Sequence, residues 1–265
     1  MKIRPLLILI VLTAIITGCG SDNRSVRIAS VVDVNVPEGK KKVISVMKFE
    51  DRSIRTKDFS PWTMGIPEMI METLAAIPYY KVVSRDYMLT NVLNEQEFQL
   101  LGATDQSSAV KLGNMMNAQY IIVGSFQVFN DKLTISGKVI SVETGQIVVQ
   151  SSVSGNLGEF YKHQNDLAVH LTQGMNVYLS PEAQKKLLVQ YEKRETKIVE
   201  ASLNNYKGEQ KLEEIAVLKK KGEKSKEKQI REEAKKDFKK AIMIDKDYRK
   251  AKSNLSKVLA IPMTL

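Results

Sequence analysis

The sequence predicts an α/β fold. It is a three-layer-like domain on a mixed sheet, with elements in the order β-α-β-α-α-β-β-β-α, followed by an all-helical C-terminal segment. Three observations carry this reading. Apolar runs of strand length at 43–49 and 80–85 are separated by stretches of helical periodicity, as in parallel β-α-β units. Between 120 and 154 three strand-like runs follow one another across tight turns, which requires antiparallel pairing. After residue 180 the chain becomes rich in lysine and glutamate and poor in aromatics.

The charge splits at the same point. Of 40 Lys+Arg and 30 Asp+Glu in the 265 residues, 23 and 14 fall in 181–265, a net of +9, which leaves +1 for the front. Two units are expected, 43–180 and 181–265.

"VISVMKF" (43–49) is an apolar strand. A loop over 59–65 holds the only tryptophan, Trp62, and Pro67 suits a first helical position. Ile66, Met69, Ile70 and Leu74 then share one helix face running to Ile77. "YKVVSR" (80–85) is the second strand, with helices expected over about 86–96 (Met88, Val92 and Leu93 inward) and 107–116. "YIIVGSFQVF" is apolar on both faces at its start, as a central strand must be. Asn130-Asp131 makes a two-residue hairpin into "KLTISGKVISV", and Gly145 in "ETG" can take the left-handed position of the next turn before "QIVVQSSVS". Asn156 to Glu159 resembles a capping box opening a long helix to Leu179, with Leu157, Tyr161, Ala168, Leu171, Met175 and Tyr178 buried. Ser180-Pro181 caps a new helix, and "GEKSKEK" (222–228) is the expected break in the tail.

The N-terminus carries the one cysteine. Lys2 and Arg4 precede an apolar run from Leu6 to Ile16, too short to span a bilayer and of signal-peptide length. Ile16-Thr17-Gly18-Cys19 resembles the bacterial lipobox, which implies cleavage after residue 18 and acylation of Cys19, palmitate included. Two or more acyl chains hold a protein on a membrane stably. Gly20, in place of Asp, points to the outer membrane. Residues 19–42 read as a lipidated tether, with a short edge strand as an option at Val32-Val34-Val36. Fully extended, the 22 residues from Ser21 to Lys42 reach about 75 Å.

Four words in order, "VISVMKFEDRS", "YYKVVSRDYMLTNVLNEQEFQLLG", "DQSSAVKLGNMMNAQYIIVGSFQVF" and "GKVISVETGQIV", resemble the CsgG family. This broad group of bacterial envelope lipoproteins includes the curli secretion channel, the flagellar FlgO proteins and the peptidoglycan-synthase activator LpoB. The likeness covers about 42–180. Its words are fold words: Gly124 marks close approach in a central strand, Gly113 tight helix packing, and Arg85-Asp86 a strand-to-helix junction. The channel branch inserts two transmembrane hairpins, each needing about twenty residues or more. Here the first junction is Asn130-Asp131 and the second Ser154-Gly155-Asn156, so the resemblance implies the periplasmic domain without a pore.

In the tail, Ala234 and Phe238 stand in the A-x-x-x-F relation of a tetratricopeptide unit, with Ala241 following and Tyr248 and Ala251 opening the next helix. Lys246 stands where that motif prefers proline. About 204–262 therefore reads as a degenerate tetratricopeptide-like segment, with a plain amphipathic helical tail as the alternative.

No phosphate-cradling loop, metalloprotease motif or nucleophile elbow is present in the sequence. Glu159, His163, Asp166 and His170 form one helix stripe, opposite the expected apolar face and so read as a solvated surface, not as a metal site. Glu50-Asp51 and Glu95/Glu97 read as isolated surface acids. The tail's basic residues alternate with acids, which argues against nucleic acid.

The expectation is a lipid-anchored, non-enzymatic protein on the periplasmic side of the outer membrane, with no metal and no cofactor. It would hold the membrane through Cys19 and bind an envelope protein partner through the α/β domain or the tail. The alternatives are an oligomeric component of a CsgG-type secretion apparatus and an LpoB-like activator of a cell-wall enzyme, for which the tether is short.

Overall fold

Strand runs, turn residues and helix caps account for most element boundaries. The computed structural model describes residues 27–29 (backbone), 35–54, 57–83 and 106–260. The helix expected over 86–96 and the Arg85-Asp86 junction lie outside the described residues, as do the signal segment and Cys19. The α/β part runs β1 (Arg27–Ala29), β2 (Lys42–Asp51), α1 (Trp62–Ala75), β3 (Tyr80–Val82), α2 (Gln106–Met115), β4 (Tyr120–Phe129), β5 (Lys132–Ser141), β6 (Ile147–Asn156), α3 (Phe160–Gly174) and β7 (Val177–Leu179).

The main sheet has the order β3-β2-β4-β5-β6, parallel where β2 meets β3 and β4 and antiparallel across β4, β5 and β6. It is the mixed sheet the sequence predicts. α1 and α3 cover one face, where Ile44, Phe49, Ile122, Phe126, Leu133 and Ile135 pack on Trp62, Ile66, Ile70, Leu167 and Leu171. α2 covers part of the other through Ala109 and Leu112, with Met116 just beyond it, against Met47, Ile121, Val123 and Ile140. Gly124 is required by close approach, since a Cβ there would strike the Phe49 ring and the Ser136 carbonyl. The turn residues behave as expected: Asn130 and Asp131 have φ of 46° and 56°, and Gly145 has 69°.

Three expectations fail locally. α1 begins at Trp62, after Pro61, so residues 62–65 read as loop are helical and Pro67 lies inside the helix instead of at its first position. The helix expected to reach Leu179 stops at Gly174, where Val149 packs too closely for a side chain, and Asn176 turns the chain with φ of 61°. Tyr178, expected to be buried, is 40% exposed on the short strand that follows. That strand, β7, pairs in parallel with β1, Arg27 opposite Val177 and Ala29 opposite Leu179. Strand structure therefore occurs inside the segment read as a tether, at 27–29.

The tail is four helices: α4 (Pro181–Glu192), α5 (Val199–Lys221), α6 (Lys224–Ile244) and α7 (Arg249–Ala260). Ser180 caps α4 by accepting from the Ala183 N–H at 3.2 Å. Gly222, at φ of 72°, ends α5 in the left-handed conformation. Phe238 of α6 packs on the backbone of Gly208 in α5, and Ala234 lies in the same seam with Ile215, Leu218, Ile230 and Val258. Tyr248, Ala251, Ala241 and Ala201 form a second small cluster. With 23 and 21 residues, α5 and α6 make a longer hairpin than a 34-residue tetratricopeptide unit holds.

Candidate functional site

The tail docks on the α/β domain along α1 and α3, where Ala183, Leu187, Tyr191, Leu203 and Tyr206 join the main apolar core and polar contacts accompany them. Trp62 Nε1 donates to Ser202 Oγ at 3.1 Å, and Gln210 Nε2 donates to the Ser60 carbonyl at 3.2 Å. Tyr206 lies against Gly65. Next to these contacts Lys250 is buried among acids. Its Nζ lies 3.3 Å from Glu72 Oε1, 3.3 Å from Glu195 Oε1 and 3.9 Å from Glu209 Oε1, and it donates to the Tyr206 hydroxyl at 3.1 Å. The Tyr248 hydroxyl donates to Glu195 Oε2 at 2.9 Å. Glu209 Oε1 accepts from Asn254 Nδ2 at 2.6 Å and Asn205 Nδ2 at 3.0 Å. Arg194 joins Glu72 at 3.1 Å from the rim.

Burial pushes the Glu195 and Glu209 carboxyls above the ordinary carboxylate value, with Lys250 opposing. Burial alone would pull the Lys250 ammonium down, but the carboxylates of Glu195, Glu209, Glu72 and Glu68 together hold it well above the lysine value. A lysine so held stays charged and is no nucleophile at neutral pH. The chemistry of this cluster is therefore that of a bolt between α1 and the tail. Beside it opens a groove of about 640 Å³, lined by Met64, Met71, Glu72, Leu212, Lys250 and Asn254 among others, with apolar and charged groups alternating.

The histidine stripe requires a correction. His163 is buried, 6% exposed, with Nε2 2.9 Å from the Asn156 carbonyl and its ring against Gly155, where the turn into α3 brings the chain back over β6. Glu159 and His170 at the two ends of the stripe are exposed, with His170 Nδ1 3.4 Å from Ser151 Oγ, and Asp166 is half-buried. Among the described residues no three His, Cys, Asp or Glu converge as a metal would need, and no helix is long and apolar enough to cross a membrane. Glu50 pairs with Arg52 at 2.6 Å on the surface.

The Lys250 cluster was not expected from the sequence, because its members lie far apart in the chain and look like ordinary Lys/Glu alternation. The one available signal was Tyr248 and Tyr206, aromatics in a tail that has few.

Among the described residues β6 is, with β3, one of the two outer strands of the sheet. Its ten residues carry no charge, and Ile147 and Val148 are 43% and 48% exposed. On the face that α2 leaves open, hydroxyls align across strands, with Thr134 and Ser154 2.8 Å apart and Ser136 and Ser152 3.0 Å apart.

Residues 26–141 match the family model described as curli production assembly/transport component CsgG. Solved structures similar to this chain include the LpoB C-terminal domain from Salmonella enterica, at 18% identity, 44% of this chain, 84% of that one and a TM-score of 0.35. Lipoprotein GNA1162 from Neisseria meningitidis is similar at 15% identity, 43% of this chain, 79% of that one and a TM-score of 0.33. A PelC dodecamer from Paraburkholderia phytofirmans is similar at 11% identity, 52% of this chain, 89% of that one and a TM-score of 0.32. No curated protein matches the chain. The stretch from β1 through β5 is thus similar to the CsgG family over 26–141, and β6, α3, β7 and a helical tail follow that stretch.

Proposed function

We propose that this is a lipid-anchored interaction or assembly protein on the periplasmic face of the bacterial outer membrane, acting without catalysis in envelope biogenesis or export. The carrying observation is the CsgG-family match over 26–141, on a domain whose strands are joined too tightly to hold membrane hairpins. β4 turns into β5 through Asn130-Asp131 alone, and β6 runs directly into the 3-10 turn Leu157–Glu159 before α3. Both features support a periplasmic module that is no pore by itself. The tail, bolted to α1 through Lys250, and the α5–α6 hairpin with its tetratricopeptide-like relation add a protein-binding surface.

The test is fractionation of cells making the wild-type chain or Cys19→Ala, with an alkynyl fatty acid as label. Label and protein together in the outer-membrane fraction, both lost in the variant, are expected. Full membrane retention of the unlabelled variant would overturn the anchor. Crosslinking from intact cells then identifies the partner.

A second reading, an oligomeric component of an export apparatus, is favoured by β6, an uncharged outer strand of the kind that accepts another strand. Sedimentation of the detergent-solubilised chain distinguishes them: a monomer at all concentrations removes this reading. The β1–β7 pairing weighs against a long-reach activator of a cell-wall enzyme, since only eight residue steps separate Cys19 from Arg27.

A further inference from the structure

We infer that the outward face of α4 is a contact surface for an anionic lipid bilayer, held against it by the pairing of β1 with β7. The inference rests on the acylation of Cys19 proposed above.

The reach of the anchor is set by where the chain is first tied down. Eight residue steps, at about 3.3–3.6 Å each, let Arg27 stand no more than about 30 Å from the lipidated cysteine. Arg27 is in register with Val177, and Ala29 with Leu179. Ser180 then caps α4, which begins at Pro181. The strand that holds the anchor and the first turn of α4 are thus neighbours, and α4 is the part of the basic tail that the tether delivers to the membrane.

α4 divides cleanly into two faces. Ala183, Leu187 and Tyr191 point into the core shared with α1 and α3. Lys185, Lys186 and Lys193 are exposed on the opposite side, with Val189, 38% exposed, between them. Lys197 and Ile198, 43% exposed, continue this surface past the end of the helix. The acids on it are Glu182, in the first turn, and Glu192, 3.2 Å from Lys197. Four ammonium groups against two carboxylates, around two exposed aliphatic side chains, suit the headgroup boundary of an anionic bilayer. Phosphate-bearing lipid is the occupant because the acyl chains bring a bilayer, not a soluble anion, to within reach.

The acylated full-length chain, with Val189→Cys carrying an environment-sensitive fluorophore, is reconstituted into phosphatidylcholine vesicles with and without phosphatidylglycerol. A blue shift only with phosphatidylglycerol is expected, lost at high salt. Each lysine near a charged surface shifts the docked-to-undocked ratio roughly fivefold, so Lys185→Gln/Lys186→Gln/Lys193→Gln should lower it roughly a hundredfold. These side chains are exposed, and an unchanged melting curve confirms that the triple variant folds. A silent probe with phosphatidylglycerol, a shift that survives the triple substitution, or one that needs added acidic protein or cell-wall fragments overturns the inference. Mass spectrometry of the N-terminal peptide separates the two layers. Unmodified Cys19 removes the anchor itself, whereas acylated Cys19 with a silent probe removes only the role of α4.

Discussion

The ring of Tyr206 rests on the backbone of Gly65: a Cβ at position 65 would lie 2.6 Å from Cδ2. Tyr206 belongs to the tail and Gly65 to α1, so the two units meet at a spacing that only glycine allows. Alanine would be the better helix former by about 1 kcal/mol, yet the rigid ring cannot yield by the ångström that a methyl group needs. Gly65→Ala is expected to destabilise the protein by about 1–3 kcal/mol in chemical denaturation. It should also expose the segment between α4 and α5 to protease, and unchanged protease resistance would show that the seam absorbs the methyl group.

Lys250→Met should be costlier. It strands Glu195 and Glu209 as buried carboxylates without their cation, a loss of about 3–5 kcal/mol at neutral pH. Both carboxyls already titrate above the ordinary value because of burial, and removal of the ammonium raises them further. An acid whose folded value is raised gains stability as pH falls through that value. The deficit of Lys250→Met should therefore be largest near pH 8 and shrink towards pH 5, as read from denaturation midpoints across that range.

The wild-type protein should lose stability only at a much higher pH. Lys250 binds its proton more tightly folded than unfolded, so its contribution is complete below about 10.5 and is lost as pH rises through the higher folded value. A stability plot that is flat from pH 10 to 12 would contradict this arrangement of charge.

The two histidines should separate. His163→Leu leaves the Asn156 carbonyl without its ring partner and should cost about 1–3 kcal/mol. His170→Leu, on the surface, should stay within about 0.5 kcal/mol in the same denaturation assay. Equal effects would mean that His163 is not held as described.

At the β4–β5 hairpin, Asp131 carries a left-handed φ of 56°. Asp131→Gly should raise stability by about 0.5 kcal/mol, the relief of a penalty of about 1 kcal/mol less the entropy cost of glycine. Asp131→Val should lower it by more than about 1 kcal/mol, checked by thermal unfolding.

The legible parts of the fold were those in which local rules act alone. β4, β5 and both turns follow from period-two patterning and from Asn130, Asp131 and Gly145, residues that select their own backbone conformation. The end of α3 was less legible, because Tyr178 continues the helical apolar spacing while Asn176 breaks the helix; the clue lay in Gly174 and Asn176 together. β1 could not be read, since three residues carry no periodicity and its partner lies about 150 positions away. The same distance hid the site. Glu72, Glu195, Glu209 and Lys250 are ordinary charges until α1, the α4–α5 connection, α5 and α7 converge, and no local pattern distinguishes a buried lysine from its many solvated neighbours.

The β1–β7 pair also has a mechanical side. If Cys19 is acylated as proposed, tension through the lipid would load the three residue pairs of β1 and β7 before the ten-pair ladder of β4 and β5. Three pairs hold few backbone bonds, so β1 would part from β7, which is itself anchored in the core by Val177 and Leu179, before the domain unfolds. Its release would move the first described hold on the chain from Arg27 towards the turn Glu38–Lys40 and extend the reach from about 30 to at most about 60 Å. The short strand would thus hold a reserve of length that is let out under load while the domain stays folded.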